Sequence, residues 1–368
     1  MNVLTIIDSF KGTITSKKLG EIVKEEFEAQ GHNVDVIPVA DGGDGFCDAI
    51  EDILISQKIN YKKMTLDVMD PLFRKVSSYY LVDIKGKIAY IELAKASGLN
   101  LLDGLELNPL ITSTYGFGEL INDAIKHKYK RIVLGIGGSA TNDAGCGMLE
   151  ALGVKFYNGN GELIKQINNT DVGTIEYLDD SDFKKKIEGI EFVVLSDVTN
   201  PLLGSNGATY VFSPQKGAKE EDLEVLEENI YNFAKRNKTY INHPGSGAAG
   251  GVGYALLTYF NAKLYSGIDY ILDLIHYEEL VKKYDLIITG EGKIDNQSLD
   301  GKVIFRISNR SADKRVILVC AINKLESIDL KLYNVEAIYS IVNDKVTMEE
   351  SINNPEYYFR QMVRNIKL

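Results

Sequence analysis

The sequence is poor in the residues that most metal, redox and nucleophilic sites use. Its 368 residues include only three cysteines and four histidines. The cysteines are scattered and odd in number, which excludes a Cys-x-x-Cys metal or redox motif and suits a reducing cytoplasm. None of the histidines has a convincing metal or nucleophile partner in the sequence. We therefore expect a chemistry that needs neither a histidine base nor a cysteine nucleophile.

Long apolar runs and excess positive charge are also missing. No stretch approaches the roughly 18 uninterrupted apolar residues of a membrane span, and the first residues lack the basic segment of a signal peptide. The net charge of −11 argues against nucleic acid or an anionic membrane as a partner. We expect a cytoplasmic α/β protein with a small-molecule substrate; the sequence leaves the oligomeric state open, a homo-oligomer included.

The usual nucleotide-binding motifs are absent or incomplete. No G-x-x-x-x-G-K-[ST] P-loop occurs. Residues 135–140 and 245–250 both fit the dinucleotide fingerprint G-x-G-x-x-[GA]. The strand candidate after the first match, residues 154–157, lacks the terminal acid that would hold a ribose, and the second match follows a poor strand. A nicotinamide-dependent dehydrogenase remains an alternative, but neither match has the strand and the ribose-binding acid that such an enzyme needs.

The most informative segment is residues 131–145, where an apolar strand candidate runs into a loop of glycines, hydroxyls and an Asn-Asp pair. Such a junction between a strand and a helix favours anions, because backbone N–H groups and the helix dipole both attract negative charge. Asp143 can serve a cation or cap the following helix, and the simplest alternative is a tight turn with an N-cap. The phosphate-binding candidates are Gly137, Gly138, Ser139, Thr141 and Asn142.

Four further loops place carboxylates or lysines directly after predicted strands. They cover residues 8–12, 41–45, 196–201 and 289–295. Because ligands bind at the carboxyl ends of parallel strands, we expect these loops to converge. Asp197 is the best-placed general base, or equally a metal ligand, while Lys11 and Lys293 could neutralise phosphate charge. Hard oxygen ligands suited to Mg²⁺, each of which could instead be a turn or cap residue, are Asp41, Asp44, Glu291 and Asp295.

The periodicity of the chain predicts two α/β domains. The opening reads as strand 3–7, helix 16–30 and strand 34–39, residues 61–93 look antiparallel, and the βαβ rhythm returns near the end. We predict a Rossmann-like parallel-sheet domain built from residues 1–60 and 282–368. A second, mixed α/β domain, residues 61–281, would be inserted in it, with the active site in the cleft between the two.

Taken together, these segments resemble the type-1 glycerate kinase family. The matching segments occur in family order between residue 8 and about residue 303. They are residues 8–12, 38–45, 91–99, 108–116, 135–147, 200–204, 211–218, 247–251 and 289–297. The chain departs from the family pattern at Phe73 and Ala144, where glycine is common, and after Lys302, where a proline is usual. These departures concern the shape of the substrate pocket more than its charges.

The resemblance implies phosphorylation of D-glycerate by ATP with Mg²⁺, with 2-phosphoglycerate favoured over 3-phosphoglycerate. Loops rich in glycine, acids and lysine suit such phosphoryl transfer, which depends on positioning and charge stabilisation. We expect Asp197, Lys11 and Lys293 to be catalytic. The expected substrate contacts are Asp8, Ser9, Arg74 and Asn200. A kinase for another small hydroxy acid and a non-catalytic metabolite sensor on the same scaffold are the alternatives.

Overall fold

The computed structural model describes residues 1–10, 12–40, 42–295, 303–311, 313–325 and 330–367. Its strands are β1 (Asn2–Ile7), β2 (Asn33–Val36), β3 (Tyr61–Met69), β4 (Lys75–Asp83), β5 (Ile88–Glu92), β6 (Arg131–Gly135), β7 (Lys155–Asn158), β8 (Leu163–Ile164), β9 (Ile175–Asp179), β10 (Glu191–Leu195), β11 (Lys263–Tyr265), β12 (Leu286–Ile294), β13 (Arg315–Asn323) and β14 (Ala337–Ser340).

Its helices are α1 (Ser16–Glu28), α2 (Phe46–Ser56), α3 (Ala94–Ser97), α4 (Tyr115–Lys126), α5 (Cys146–Ala151), α6 (Asn169–Val172), α7 (Ser181–Ile187), α8 (Ala208–Phe212), α9 (Glu220–Ala234), α10 (Ala248–Tyr259), α11 (Gly267–Leu274), α12 (Tyr277–Leu280), α13 (Val303–Arg310), α14 (Met348–Asn353) and α15 (Pro355–Arg364). Short 3₁₀ turns cover Leu99–Leu102, Pro214–Lys216, Val281–Lys283 and Leu330–Tyr333. Among the described residues, no helix has the length and apolar character needed to cross a membrane.

The chain divides into two compact units. The first unit comprises Met1–Asp41, Glu51–Gln57 and Gly267–Leu368, and the second comprises Gly42–Ile50 and Lys58–Ser266. A compact unit need not coincide with a part of the chain that folds alone. The predicted domain boundaries after residues 60 and 281 therefore stay a prediction.

The first unit contains a parallel sheet in the order β14-β13-β12-β1-β2. Its strands come from both ends of the chain, as predicted. Helix α1 shows why these segments fold this way. Thr15 caps its start by accepting a hydrogen bond from Lys18 N, and Leu19, Ile22, Val23 and Phe27 form its buried face. These side chains join a core with the alternate residues of β1 and β12.

The second unit contains a mixed sheet in the order β11-β10-β6-β5-β4-β3. Strands β11, β10, β6 and β5 are parallel to one another, whereas β3, β4 and β5 pair antiparallel. A small antiparallel sheet, β8-β7-β9, lies in the same unit. The predicted fold class, a Rossmann-like parallel-sheet domain with a second mixed α/β part, is confirmed.

One predicted loop is a strand. Residues 289–294 were expected to form a loop after a short strand, but β12 continues through them to Ile294. Strand β13 is equally long, and its backbone pairs Glu291 with Cys320 and Lys293 with Ile322. These ladder hydrogen bonds stabilise an extended backbone that the glycines and charges of the segment would not favour alone. The functional candidates Glu291 and Lys293 therefore lie on a strand.

Helix α10 begins with a left-handed turn that packs on residues 141–144. Ala249, Gly250 and Gly251 have φ values of 52°, 64° and 92°. The carbonyl of Gly250 accepts a hydrogen bond from Ala144 N at 3.0 Å. A Cβ atom on Gly250 would lie 2.0 Å from the carbonyl oxygen of Thr141. The position therefore requires glycine for its conformation and for its space.

We expect Gly250→Ala to lower the free energy of unfolding by about 2–5 kcal/mol, since left-handed strain and the clash with a backbone oxygen add together. Gly189→Ala is the matched control, because Gly189 also has a positive φ (74°) but a Cβ there meets no atom within 4 Å. The control should cost about 1 kcal/mol. Urea unfolding of both variants measures the difference, and equal losses would contradict the packing argument.

Candidate active site

Three strands of the second unit end side by side at the candidate phosphate loop. Glu92 at the end of β5 and Leu195 at the end of β10 both pair with Gly135 at the end of β6. Residues 137–143, the glycine loop, follow β6. The segment 42–45 lies against this loop, with Gly137 N donating to Gly42 O at 3.0 Å. A Cβ on Gly138 would lie 2.5 Å from Oδ1 of Asp44, so a larger residue there would displace this carboxylate.

The backbone carbonyls of the glycine loop are held by the surrounding fold. Four donors from different parts of the second unit each bind one carbonyl oxygen of the loop. They are Leu99 N on Gly138 O (3.0 Å), Thr112 Oγ1 on Ala140 O (2.9 Å), Lys216 Nζ on Thr141 O (2.7 Å) and Asn169 Nδ2 on Asn142 O (2.6 Å). The conformation of the loop is therefore fixed through its acceptors.

The donors of the same loop are not used in this way. Within the described ranges, the N–H groups of Gly138, Ser139, Thr141 and Asn142 have no acceptor. The buried hydroxyl of Thr141, which can donate, also has no partner there, and neither does the amide oxygen of Asn142, which can only accept. Buried polar groups are normally hydrogen-bonded, so donors left over in one loop indicate a ligand. Successive unpaired N–H groups suit an anion such as a phosphate.

Asp143 is the anchor of the loop. Its fully buried carboxylate accepts hydrogen bonds from Thr114 N (2.8 Å), Thr114 Oγ1 (2.7 Å), Gly145 N (3.1 Å) and Gly147 N (3.2 Å). Burial raises its pKa, while these hydrogen bonds oppose the shift. Of the two roles expected for Asp143, the geometry favours the cap of α5, because the carboxylate is saturated by protein donors.

A second buried carboxylate holds the segment that carries Asp44. Glu92 is 1% exposed and accepts hydrogen bonds from Gly45 N (3.2 Å) and Cys47 N (2.8 Å), at the start of α2. Lys95 Nζ lies 4.0 Å from Glu92 Oε1. Burial raises the pKa of Glu92 to about 7, against the opposing effects of Lys95 and the two N–H groups. The position of Asp44 therefore depends on Glu92.

The other candidates of the second unit lie in separate environments. Asp197 is exposed and follows β10 after one intervening residue. The side chain of Asn200 donates to Asn206 O at 2.8 Å. Arg74 pairs with the buried Asp70 at 2.6 Å, and its side chain stays 49% exposed. Their predicted roles in catalysis and substrate binding remain predictions.

The first unit brings a second set of candidates together. Asp8 directly follows β1, and its N–H donates to Gly290 O of β12 at 2.9 Å, which places Asp8 beside the strand of Glu291. Ser9 N donates to Asp8 Oδ1 at 2.7 Å. Further along β12, Lys293 forms an ion pair of 2.6 Å with Asp295. Two other candidates, Lys11 and Asp41, lie outside the described residues.

Comparisons with known proteins decide the family. A sequence model described as the glycerate kinase family matches residues 3–368. The chain belongs to the glycerate kinase family. A glycerate kinase of Bacillus subtilis (strain 168) is 35% identical over 375 residues, covering 100% of this chain and 97% of that protein. A glycerate 2-kinase of Escherichia coli (strain K12) is 34% identical, again covering 100% and 97%.

A solved structure agrees with this assignment. The crystal structure of a protein from Salmonella typhimurium LT2, named as a glycerate kinase 2, has a TM-score of 0.79 and 32% sequence identity to the chain. The match covers 99% of this chain and 96% of that one. The fold seen here is thus that of a glycerate kinase family member over nearly its whole length.

Two residues with clear roles in this geometry were not among the predicted site residues. Glu92 and Lys216 lie in segments that match the family, residues 91–99 and 211–218, but their burial cannot be read from those segments. A lysine or glutamate is normally exposed, and only the fold shows that these two are not. The signals available in the sequence were the apolar neighbours on both sides of Glu92 and the small residues Gly217 and Ala218 after Lys216.

We expect the stability of the protein to respond to pH through Glu92. Its pKa rises from an ordinary 4.5 to about 7 in the folded state, so the folded protein binds this proton more tightly than the unfolded chain. The contribution of this proton to the free energy of unfolding is complete below pH 4.5 and is lost as the pH rises to about 7. The loss amounts to about 3 kcal/mol at most. The Glu92→Gln variant lacks one of the two hydrogen-bond acceptor oxygens at every pH, and its amide cannot ionise.

The stability difference between the wild type and Glu92→Gln should therefore shrink as pH rises through this range. Chemical denaturation at a series of pH values measures it. Glu176→Gln, at a side chain that is 77% exposed, is the control and should show a constant difference. If the stability difference between the wild type and Glu92→Gln does not change with pH, the pKa of Glu92 is not raised in the folded protein and the prediction is wrong.

Proposed function

We propose that the chain transfers the γ-phosphoryl group of ATP to D-glycerate and yields 2-phosphoglycerate. The observation that carries the proposal is the glycine loop, whose carbonyls are bound by the fold while four of its N–H groups have no acceptor among the described residues. Relatives across the whole chain are named glycerate kinase or glycerate 2-kinase. Such a loop suits the phosphates of a nucleotide, because their oxygens are negatively charged hydrogen-bond acceptors that need several donors.

The loop residues would share this work. The N–H groups of Gly138, Ser139, Thr141 and Asn142 would donate to phosphate oxygens. The unpartnered oxygen of Thr141 belongs to a hydroxyl, which can donate as well. Gly137 would keep the segment 42–45 close, since its own N–H is already bound to Gly42 O. Transfer then depends on positioning, with little covalent chemistry for the protein to perform.

The residues of the second unit also fit a magnesium ion. The carboxylate of Asp44 lies against Gly138, where it could share a cation with a phosphate bound by the glycine loop. Within the described ranges no group of three or more acidic, histidine or cysteine side chains could hold a metal ion. Mg²⁺ often takes one or two carboxylates together with phosphate oxygens and water, so Asp44 would suffice as one of its ligands. The ion would neutralise phosphate charge; Asp41, Glu291 and Asp295 are the further candidates.

Asp197 is the proposed base. It would accept the proton of the glycerate hydroxyl while that oxygen attacks the γ-phosphorus in line. The bond between this phosphorus and the bridging oxygen then breaks, and ADP leaves. Lys293, and Lys11 with it, would offset the negative charge of the transferred group. Asp8, Ser9, Arg74 and Asn200 would contact glycerate, and the pairing with Asp70 would keep the Arg74 guanidinium in a fixed orientation.

We place the enzyme in the cytoplasm. The support is that Cys47, Cys146 and Cys320 are all buried and free, as a reducing compartment allows. ATP, the proposed phosphoryl donor, is also an intracellular metabolite.

The activity can be tested by ³¹P NMR of the purified protein with ATP, Mg²⁺ and D-glycerate. We expect ADP and a new phosphomonoester signal that appears only with glycerate. Coupling to one carbon-bound proton gives a doublet for the 2-phosphate, and coupling to two gives a triplet for the 3-phosphate. Turnover with another hydroxy acid only, or binding without turnover, would contradict the proposal.

We expect Asp197→Asn to lower kcat by about 10²- to 10⁴-fold, because an amide cannot accept the hydroxyl proton. The stability should change little, since the side chain is exposed. Asp182→Asn, at another exposed aspartate of the second unit, is the control and should keep full turnover. Near-wild-type turnover of Asp197→Asn would remove it from the role of base.

A further inference from the structure

Lys216 is a buried lysine beneath the glycine loop. It ends the short 3₁₀ turn Pro214–Lys216 and is 3% exposed. Its Nζ donates to Ser139 Oγ at 2.9 Å and to Thr141 O at 2.7 Å. Among the described residues, the partners of this nitrogen are these two oxygens, and no carboxylate forms an ion pair with it within 4 Å. Burying an ammonium without an ion pair is costly, so a lysine at this position suggests a role beyond packing.

The hydrogen bond to Ser139 determines what the serine hydroxyl can do. A hydroxyl carries one proton and two acceptor sites, whereas an ammonium carries three donors and no acceptor. While Lys216 is charged, Ser139 Oγ must accept from it, and the serine proton remains for another acceptor. A neutral amine has a lone pair, so the serine could then donate to Lys216 instead. The charge of the lysine thus controls the direction of the Ser139 O–H bond.

The anchoring of Thr141 adds to this effect. The same ammonium holds the carbonyl of Thr141, and the N–H groups of Ser139 and Thr141 have no acceptor among the residues that the structure describes. One lysine therefore occupies the acceptors of two loop residues whose donors are left for a ligand.

We propose that Lys216 is a positioning residue that keeps the Ser139 hydroxyl, together with the neighbouring N–H groups, available as donors to the nucleotide phosphates. The inference rests on the proposed function, in which the glycine loop binds those phosphates. Both hydrogen bonds of the Lys216 ammonium go to atoms of the loop, Ser139 Oγ and Thr141 O. Its effect is on phosphate affinity, through Ser139.

The arrangement has a pH dependence. Burial lowers the pKa of Lys216 to about 7, although the negative charge of Asp143 on the glycine loop acts in the opposite direction. A bound phosphate stabilises the ammonium, and by linkage phosphate binds more tightly to the charged form. Affinity for phosphate should therefore be highest below pH 7 and should weaken as pH rises and the free protein loses this charge.

The test is the dissociation constant of ATP, measured by isothermal titration calorimetry between pH 6.5 and 8.5 for the wild type, Lys216→Met, Ser139→Ala and the double variant. At pH 6.5 each single variant should bind ATP about 10- to 100-fold more weakly, as for the loss of a charge-assisted hydrogen bond. The double variant should be no weaker than Lys216→Met, because both changes remove one chain of interactions. The ratio of the dissociation constants of variant and wild type should fall toward 1 at pH 8.5, because Lys216 of the free wild type has lost its charge there. The ionisation of ATP cancels in this ratio, since it is common to both proteins.

Lys186→Met is the matched control. Lys186 also lies in the second unit, donates to Leu152 O at 2.5 Å, and has a pKa lowered by burial, but it does not contact the glycine loop. It should leave ATP affinity and its pH dependence unchanged. Thermal unfolding of every variant shows whether it is folded.

Unchanged ATP affinity in Lys216→Met, effects that multiply in the double variant, or a wild type that does not bind ATP would each overturn the inference. If Lys216→Met does not fold, Ser139→Ala decides: a flattened pH dependence supports the inference and a wild-type profile overturns it. ATP binding that depends on Lys216 and Ser139 without glycerate turnover would refute the proposed function alone. Turnover with unaltered affinity in the variants would refute the inference alone.

Discussion

The buried carboxylate of Asp143 is the interaction on which the second unit's site depends. One side chain binds the start of α4 through both the N–H and the hydroxyl of Thr114, and the start of α5 through Gly145 and Gly147. Thr114 in turn accepts from Met148 N at 2.9 Å. The turn between β6 and α5 is thereby tied to a helix that precedes it in sequence. A neutral residue here would leave several buried donors without partners, which is why the loop tolerates a desolvated charge.

The glycine loop shows how the fold can fix the conformation of a loop through its carbonyls and leave its N–H groups unused. Every loop carbonyl described above is bound by a side chain or N–H from elsewhere in the unit, so the loop needs no ligand to hold its shape. The left-handed turn of α10 closes the other side by binding Ala144 N. For the proposed phosphate ligand, donors fixed in advance would cost no reorganisation on binding, and such preorganisation is often the largest contribution to catalysis by electrostatic stabilisation.

Much of this fold could be predicted from the sequence, because it is expressed in local patterns. The starts of β1, α1 and β6 follow from apolar periodicity and a cap residue, and the parallel arrangement follows from the alternation of strands and helices. What could not be predicted depends on partners distant in sequence. The extension of β12 through Glu291 and Lys293 exists because β13 pairs with it. Likewise, the second-unit site could be located as a glycine-rich segment, but the buried Lys216 could not, since nothing near residue 216 shows that Ser139 and Thr141 lie 2.9 and 2.7 Å away.

The order of strands in the first unit has a consequence for synthesis on the ribosome. The two neighbours of β1 in the sheet lie at very different distances along the chain: β2 follows it at once, whereas β12 begins only at Leu286. The pairing of β1 with β12 cannot form until β12 has been made, by which time every strand of the second unit, ending with β11 at Tyr265, has been synthesised. The second unit can therefore fold during translation while β1, already able to pair with β2, still lacks β12 on its other edge.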